Sequence, residues 1–272
     1  MLGRSCLLMT NPISVFIMDV SHSSKGNIGS ELSEYLQQLE VRIAMWTQNI
    51  VATQITHRAG DELVVVSNGY ATAYTLAFYL SRVWKFANHK PYFGLSFGDI
   101  QEDVNTLNVE TWIHPLMKQA REANDFLKKQ QNRAQFHFRL TDFSDEKSPE
   151  GFNVFGSQFE TLLNVILTLQ EEQMNEQTEI QSLVCSLFLI LTQQNKVSQY
   201  LGRTASTVSS HMKKGKTEAI LDAFHNTVNV LNSLETDHKL NPYRASGPLQ
   251  RNIRQIVSDQ LHDYFPNIEG GK

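Results

Sequence analysis

Cysteine is nearly missing from this chain: Cys6 and Cys185 are the only two, and no Cys-x-x-Cys pair exists. That scarcity excludes a cysteine-based zinc site and a disulfide framework, and it fits free thiols in a reducing, cytoplasmic setting. Long apolar runs are absent too. None approaches the roughly 18 residues that a bilayer span needs, so no membrane partner is expected. The apolar patch in MLGRSCLLMTNP falls short of the ~7–15 residues of a secretory core. No G-x-S-x-G element and no G-x-x-x-x-G-K-[ST] loop occurs, since GRTASTV at 202–208 lacks the lysine. Nucleophile-elbow hydrolase chemistry and P-loop chemistry are therefore not indicated. Among nine histidines, His22, His57, His114 and His211 show no metal-ligand spacing, so no histidine zinc site is expected. Excess positive charge is also lacking. The net charge is −4 and the pI near 6.1, so any contact with nucleic acid must come from a local patch.

What is present is a globular composition: 41% hydrophobic and 19% charged residues in 272, enough for one large or two ordinary domains. ISVFIMDV, 13–20, is apolar on both faces and reads as a buried central strand ending near Asp19. Residues 28–50 place Leu32, Leu36, Leu39, Ile43 and Trp46 three and four apart, which predicts a helix with one apolar stripe. ATQITHR (52–58) and ELVVVS (62–67) predict two strands joined by a tight turn. Helices are expected over 71–87 and 112–131, with Pro115 in a first turn, and strands over 92–100 and 134–140. Gly94 and Gly98 share a strand face, which implies close approach of something bulky. The aromatic group Tyr74, Phe78, Tyr79, Trp84 and Phe86 is most simply core.

The order β-α-β-β-α-β, then α-β, predicts an α+β fold: a ferredoxin-like sheet with crossover helices over residues 12–142. The acidic stretch DFSDEKSPEGFN (142–153) reads as a linker, set at 143–155. From 156 to 235 the periodicity is purely helical, predicting an all-α domain. Its first two helices, around 159–169 and 183–191, are apolar nearly all round and expected to be buried in that domain or in a dimer. A tail over 236–272 carries an amphipathic helix with Ile253, Ile256, Val257 and Leu261 on one face, suited to docking or oligomerisation.

KVSQYLGRTASTVSSHMKKG, 196–215, is the most specific local pattern. Val197, Tyr200 and Leu201 face inward on a short helix, Ser198 permits a close crossing, Gly202 turns the chain, and Thr204 caps a second helix. Val208 and Met212 face inward on that second helix. Ser206, Thr207, Ser209, Ser210 and Lys213 then point outward, short hydroxyls and a cation suited to phosphates and base edges in a major groove. From Gln181 to Thr217 there is no Asp or Glu, yet Lys196, Arg203, Lys213, Lys214 and Lys216 all fall there. The pattern predicts a helix-turn-helix that binds double-stranded DNA, with steep salt dependence. Arg203 takes a place usually held by an apolar residue, so either the first turn of the second helix packs less tightly or the guanidinium reaches out to a phosphate.

Two carboxylate positions also stand out. A sheet of this order lays the first strand beside the hairpin, so Asp19 and the turn carrying Asp61 and Glu62 should meet. Paired carboxylates hold divalent cations such as Mg or Mn, which in turn position a triphosphate. The loop SHSSKGN (21–27) before a helix could offer N–H groups to phosphates. The structural alternative is a capped loop and a solvated turn.

VFIMDVSHSSKGN, HRAGDELVVV, YFGLSFGDI and HPLMKQAREAND occur in an order that resembles SatD-like proteins, and the first two are similar to the corresponding segments of GGDEF-type nucleotidyl cyclases. The helix-turn-helix resembles region four of sigma factors. The resemblance spans about residues 13–215. It implies metal contacts from Asp19, Asp61 and Glu62, a base contact from Asn27 and a phosphate contact from Arg121; Ser23, Ser24 and Lys25 are candidate nucleotide contacts through the SHSSKGN loop alone. Ser21 stands where the cyclases carry Asp, Ser23 stands for an aromatic, and the Lys-Gly-Arg-Asn segment after the phosphate helix is replaced by QQNR. These departures set nucleotide binding ahead of turnover. The expected function is thus a DNA-binding transcriptional regulator, a homodimer, whose cyclase-like half senses a nucleotide or divalent cation. The alternative is a Mg/Mn-dependent nucleotidyl cyclase or transferase localised by its DNA-binding part.

Overall fold

The computed structural model describes residues 10–21, 29–58, 61–130, 134–140, 150–235 and 245–265. Its centre is strand β1 (Asn11–Val20), flanked antiparallel by β3 (Glu62–Asn68) and by β4 (Pro91–Ile100). β2 (Thr53–Arg58) pairs antiparallel with β3 at one edge, and the short β5 (Phe136–Phe138) pairs parallel with β4 at the other. The result is a mixed five-stranded sheet in the order β2-β3-β1-β4-β5, within an α+β chain. β1 shows no polar alternation because both sheet faces are covered. Ile13, Val15 and Ile17 pack with Val64 and Val66 on one face, while Phe16, Met18 and Val20 enter the main core on the other.

On that main-core face lie α1 (Gly29–Thr47) and α2 (Thr72–Arg82). α1 buries the expected stripe, Leu32, Leu36, Leu39, Ile43 and Trp46. α2 is buried from Thr72 through Leu80, with helices on its far side as well as the sheet. It ends at Arg82, short of the 87 that the pattern predicts. Beyond it the chain wraps Trp84, whose indole N–H donates to the carbonyls of Phe86 (3.0 Å) and His89 (2.8 Å). Trp84 and Phe86 meet Tyr35 edge-on, so their apolar signal comes from a packed turn, not a helix.

The opposite face carries α3 (Pro115–Lys129) and a short 3-10 turn, Val104–Thr106. α3 starts three residues later than the pattern suggests, capped by His114, whose Nδ1 accepts from the Leu116 N–H. Gly94 explains how close it lies. A Cβ there would come within 2.1 Å of the Ala120 carbonyl oxygen and 2.3 Å of the Asn124 nitrogen. The bulky neighbour of this glycine is therefore the backbone of α3, and Asn124 Nδ2 fixes the contact by donating to the Ile17 carbonyl at 3.0 Å.

The second half is helical: α4 (Glu150–Asn175), α5 (Glu179–Leu191), α6 (Gln194–Leu201), α7 (Ala205–Lys214), α8 (Thr217–Leu234), α9 (Ser246–Asp259) and α10 (Leu261–Tyr264). α4 begins inside the stretch read as linker. The apolar core runs without a break from the sheet into these helices. Phe78 of α2 stacks on Phe224 of α8 at 4.2 Å, and Tyr74 Oη meets Gln170 Oε1 of α4 at 3.1 Å. The tail helix α9 docks on its own chain. It buries Leu249, Ile253 and Val257 fully, while Asn252 donates to the Trp46 carbonyl and Arg254 to Tyr79 Oη. α4 is less buried than its composition implies. Leu163 and Leu167 are inside, but Leu162, Val165, Ile166 and Leu169 are exposed. Those four are spaced three and four apart, so they form one continuous apolar stripe.

Candidate nucleic-acid interface and sheet-edge carboxylates

Local sequence builds the α6–α7 unit. Thr192 takes φ 58° and ends α5, turning the chain into α6. Gly202 takes φ 60° and ends α6, a left-handed conformation that glycine adopts without a Cβ penalty. Thr204 is extended, and its hydroxyl accepts from the Thr207 N–H at 3.2 Å, starting α7. Val197 and Val208 are fully buried and Leu201 nearly so, whereas Tyr200 and Met212 are half-buried. Ser198 is buried and donates back to the Gln194 carbonyl at 2.7 Å, which keeps a small, satisfied residue where the helices cross. Gln194 also donates to the Ala205 carbonyl, tying the start of α6 to the start of α7. Gly215 closes α7 against α5, since a Cβ there would meet Gln181 Cβ at 2.8 Å.

What remains outside is polar and cationic. Lys196, Arg203, Thr204, Ser206, Ser209, Ser210, Lys213 and Lys214 are exposed, and Thr207 is partly so. Val208 is the one buried residue of α7. Lys216, also exposed, is held by an ion pair to Glu176 at 2.6 Å, so its charge is partly neutralised within the chain.

The sheet edge brings the other predicted group together only in part. Strand register sets Met18 opposite Leu63, which places Asp19 beside the turn bearing Asp61 and Glu62. Asp19 is buried, and burial pushes its carboxyl above the ordinary range; a hydrogen bond and charge repulsion from Asp61 push the same way, against the pull of Lys128. Lys128 of α3 is ion-paired to Asp19. Glu62 turns elsewhere. Arg121 grips it with two parallel hydrogen bonds, Nη1 to Oε2 at 2.9 Å and Nη2 to Oε1 at 3.1 Å. Arg58 adds a third at 3.2 Å. Burial raises the Glu62 carboxyl, but the two guanidiniums overcome it and hold the group below the ordinary range; Glu62 in turn raises Arg121. Among the described residues no three His, Cys, Asp or Glu side chains are placed to hold a metal ion. Ser23, Ser24, Lys25 and Asn27 lie outside the described residues.

The sequence pattern does not reveal Lys128 and Arg58 as partners of these carboxylates. Arg121, Asp125 and Lys128 share one face of α3 by their spacing, which was the available signal for Lys128. No signal in the chain pairs Arg58 with Glu62 except their separation by four residues across a hairpin. Among the described residues, no helix is long and apolar enough to cross a membrane. No family model matches the chain, and neither a curated protein nor a solved structure matches it.

Proposed function

We propose that this protein is a DNA-binding transcriptional regulator of the SatD-like type, with α6 and α7 acting as a helix-turn-helix. The observation that carries the reading is the outer surface of α7 and its approach: exposed hydroxyls and cations, no acidic side chain from 181 to 217, and one buried anchor, Val208. Such a helix is suited to a major groove, with hydroxyls and lysines on phosphates fixing its register. The strand order β2-β3-β1-β4, antiparallel throughout, supports a ferredoxin-like, cyclase-like first half. In this reading that half senses a nucleotide, a divalent cation such as Mg or Mn, or both, beside Asp19 and Asp61. The ion pairs of Glu62 with Arg121 and Arg58 and of Asp19 with Lys128 weigh against a catalytic metal pair, because protein cations already neutralise those carboxylates; a sensed cation would have to displace Lys128 from Asp19.

A homodimer follows from the same reading, since two half-sites multiply affinity. The α4 stripe of Leu162, Val165, Ile166 and Leu169 is suited to an isologous contact with a second copy,. The test of the function is binding of mixed genomic duplex DNA by the full chain, followed as salt is raised, with Lys213→Glu/Lys214→Glu as the comparison. Loss of binding in that variant supports the reading; unchanged binding refutes it.

A further inference from the structure

A cleft of about 470 Å3 lies where the sheet half meets α4 and α5. Its walls bring together Arg82 from the end of α2, Trp84 and Phe86 from the turn after it, and Glu171 and Met174 from α4. Both charged residues are deeply buried: Arg82 is 9% exposed and Glu171 6%. Arg82 Nη2 donates to the Ser182 carbonyl at 2.8 Å and to its hydroxyl at 3.2 Å, yet among the described residues Arg82 Nε has no partner. Glu171 Oε2 has none either, nor has Gln177 Oε1 on the same wall.

Each such atom is shut off from solvent and so carries the desolvation cost of an unmade hydrogen bond,, a cost that a ligand reaching it by a small side-chain shift would remove. Burial pushes the Glu171 carboxyl above the ordinary range, and Lys90, Asn175, Arg82 and a backbone hydrogen bond at Gln135 only draw it part of the way back. Among the described residues, Arg82 and Glu171 form no salt bridge with one another. A donor and an acceptor of opposite charge, each keeping one atom without a partner among the described residues, thus stand at one cleft, beside aromatic and thioether walls. Concave, mostly apolar sites with a few convergent polar groups are where small ligands bind.

We propose that this cleft binds a small zwitterion, its carboxylate held by Arg82 and Lys90, its ammonium by Glu171, and its apolar body against Trp84, Phe86 and Met174. An L-α-amino acid with an apolar side chain is the simplest molecule of that form. The volume lies within the ~300–1,000 Å3 of small-molecule sites. Lys90 lies at an exposed position, where its ammonium donates to Asn175 at 2.9 Å and attracts Glu171, so it can turn to the ligand by a rotation of its own side chain. A nucleotide fits poorly, because its phosphates would bring several negative charges against Glu171. The site is therefore separate from the sheet edge at Asp19, and it stands whether or not α7 binds DNA. Because the walls come from both halves, an occupied cleft ties them together.

The test is calorimetric binding and thermal unfolding of the full chain with leucine, isoleucine, valine, methionine and phenylalanine. Each is paired with its amide, which lacks the carboxylate, and its N-acetyl form, which lacks the ammonium. At least one free amino acid should bind with a Kd below about 1 mM and raise the unfolding temperature. Both of its blocked forms should bind about tenfold more weakly or worse, as loss of a charged hydrogen-bond partner implies. Glu171→Gln should weaken the free amino acid likewise, and should unfold at the same temperature as wild type or higher without it, because the desolvation cost of the buried carboxyl, the largest influence on this group, is gone. Lys90→Ala, at an exposed position, should weaken binding severalfold and carries the test if the buried variant does not fold. Absence of binding by all five, equal binding of the blocked forms, or undiminished binding by both variants would overturn the proposal.

Discussion

Replacing Glu62 by Gln should destabilise the protein in a way that reports the Arg121–Glu62–Arg58 clamp directly. The side chain is 16% exposed and receives three charge-assisted hydrogen bonds, at 2.9, 3.1 and 3.2 Å. Bonds of this kind contribute about 1.5–3 kcal/mol each, but they do not add here. Arg121 is 42% exposed and Arg58 29%, so both recover water once released, and Gln keeps the shape and one acceptor. The expected loss is about 2–3 kcal/mol at neutral pH, read as a lower urea midpoint with an unchanged slope. The pH dependence has a definite sign. Glu62 is held below its ordinary value, so its stabilisation is present above that ordinary value and disappears as pH falls through the lower, folded one. The gap between wild type and variant should therefore close in acid. It should also be the same with Mg²⁺ and with chelator, since the neutralising charges are the protein's own. Equal midpoints at neutral pH, or a gap that appears only with Mg²⁺, would refute the clamp and restore Glu62 as a metal ligand.

Gly94→Ala should cost about 3 kcal/mol or more, since its Cβ would overlap backbone atoms of α3 that cannot move aside,; a circular dichroism melt near that of wild type would count against the packing described. His137, stacked on Phe126 and lowered to about 4 chiefly by burial, stays neutral in the fold while the unfolded chain takes up a proton. Stability should fall by roughly 3 kcal/mol between pH 6.5 and 4, at about 1.4 kcal/mol per pH unit, and His137→Gln should flatten that slope in urea titrations. Leu162→Glu/Leu169→Glu, both on the exposed stripe of α4, should keep the circular dichroism spectrum of the wild type and convert a dimer to a monomer in sedimentation equilibrium, losing only the stabilisation that dimerisation supplies by mass action. Wild type that is already monomeric at tens of micromolar would remove the α4 interface.

Local periodicity made much of the fold legible. The doubly apolar β1, the α1 stripe, the hairpin and the α6–Gly202–α7 unit are each set by residues of one short contiguous stretch. Gly94 was legible as a close approach, though not as an approach of α3. What pattern could not supply is long-range pairing. Asn164 on α4 brackets β5 by accepting from the Phe138 N–H and donating to its carbonyl, and nothing near Asn164 announces a strand. The meeting of Arg82 with α4 and α5 depends on both halves packing into one core. At α4 the all-round Leu, Ile and Val left open burial within the chain or in a dimer, and the fold buries Leu163 and Leu167 while Leu162, Val165, Ile166 and Leu169 stay outside the single chain. At the sheet edge, the meeting of Asp19 and Asp61 followed from strand order alone, while Lys128 comes from a helix more than a hundred positions along the chain, beyond the reach of local pattern.

The most direct test of the regulatory claim is fluorescence anisotropy of labelled duplex DNA against the full chain from about 50 to 200 mM salt, a range over which several neutralised phosphates change affinity a thousandfold or more. Wild type should bind with an affinity that falls steeply with salt. Lys213→Glu/Lys214→Glu should bind far more weakly, with a log–log slope shallower by about two, near one for each phosphate that the variant no longer neutralises. Binding of equal strength and slope by both proteins, or no binding by wild type to any duplex at low salt, would contradict the assignment of α7 to DNA.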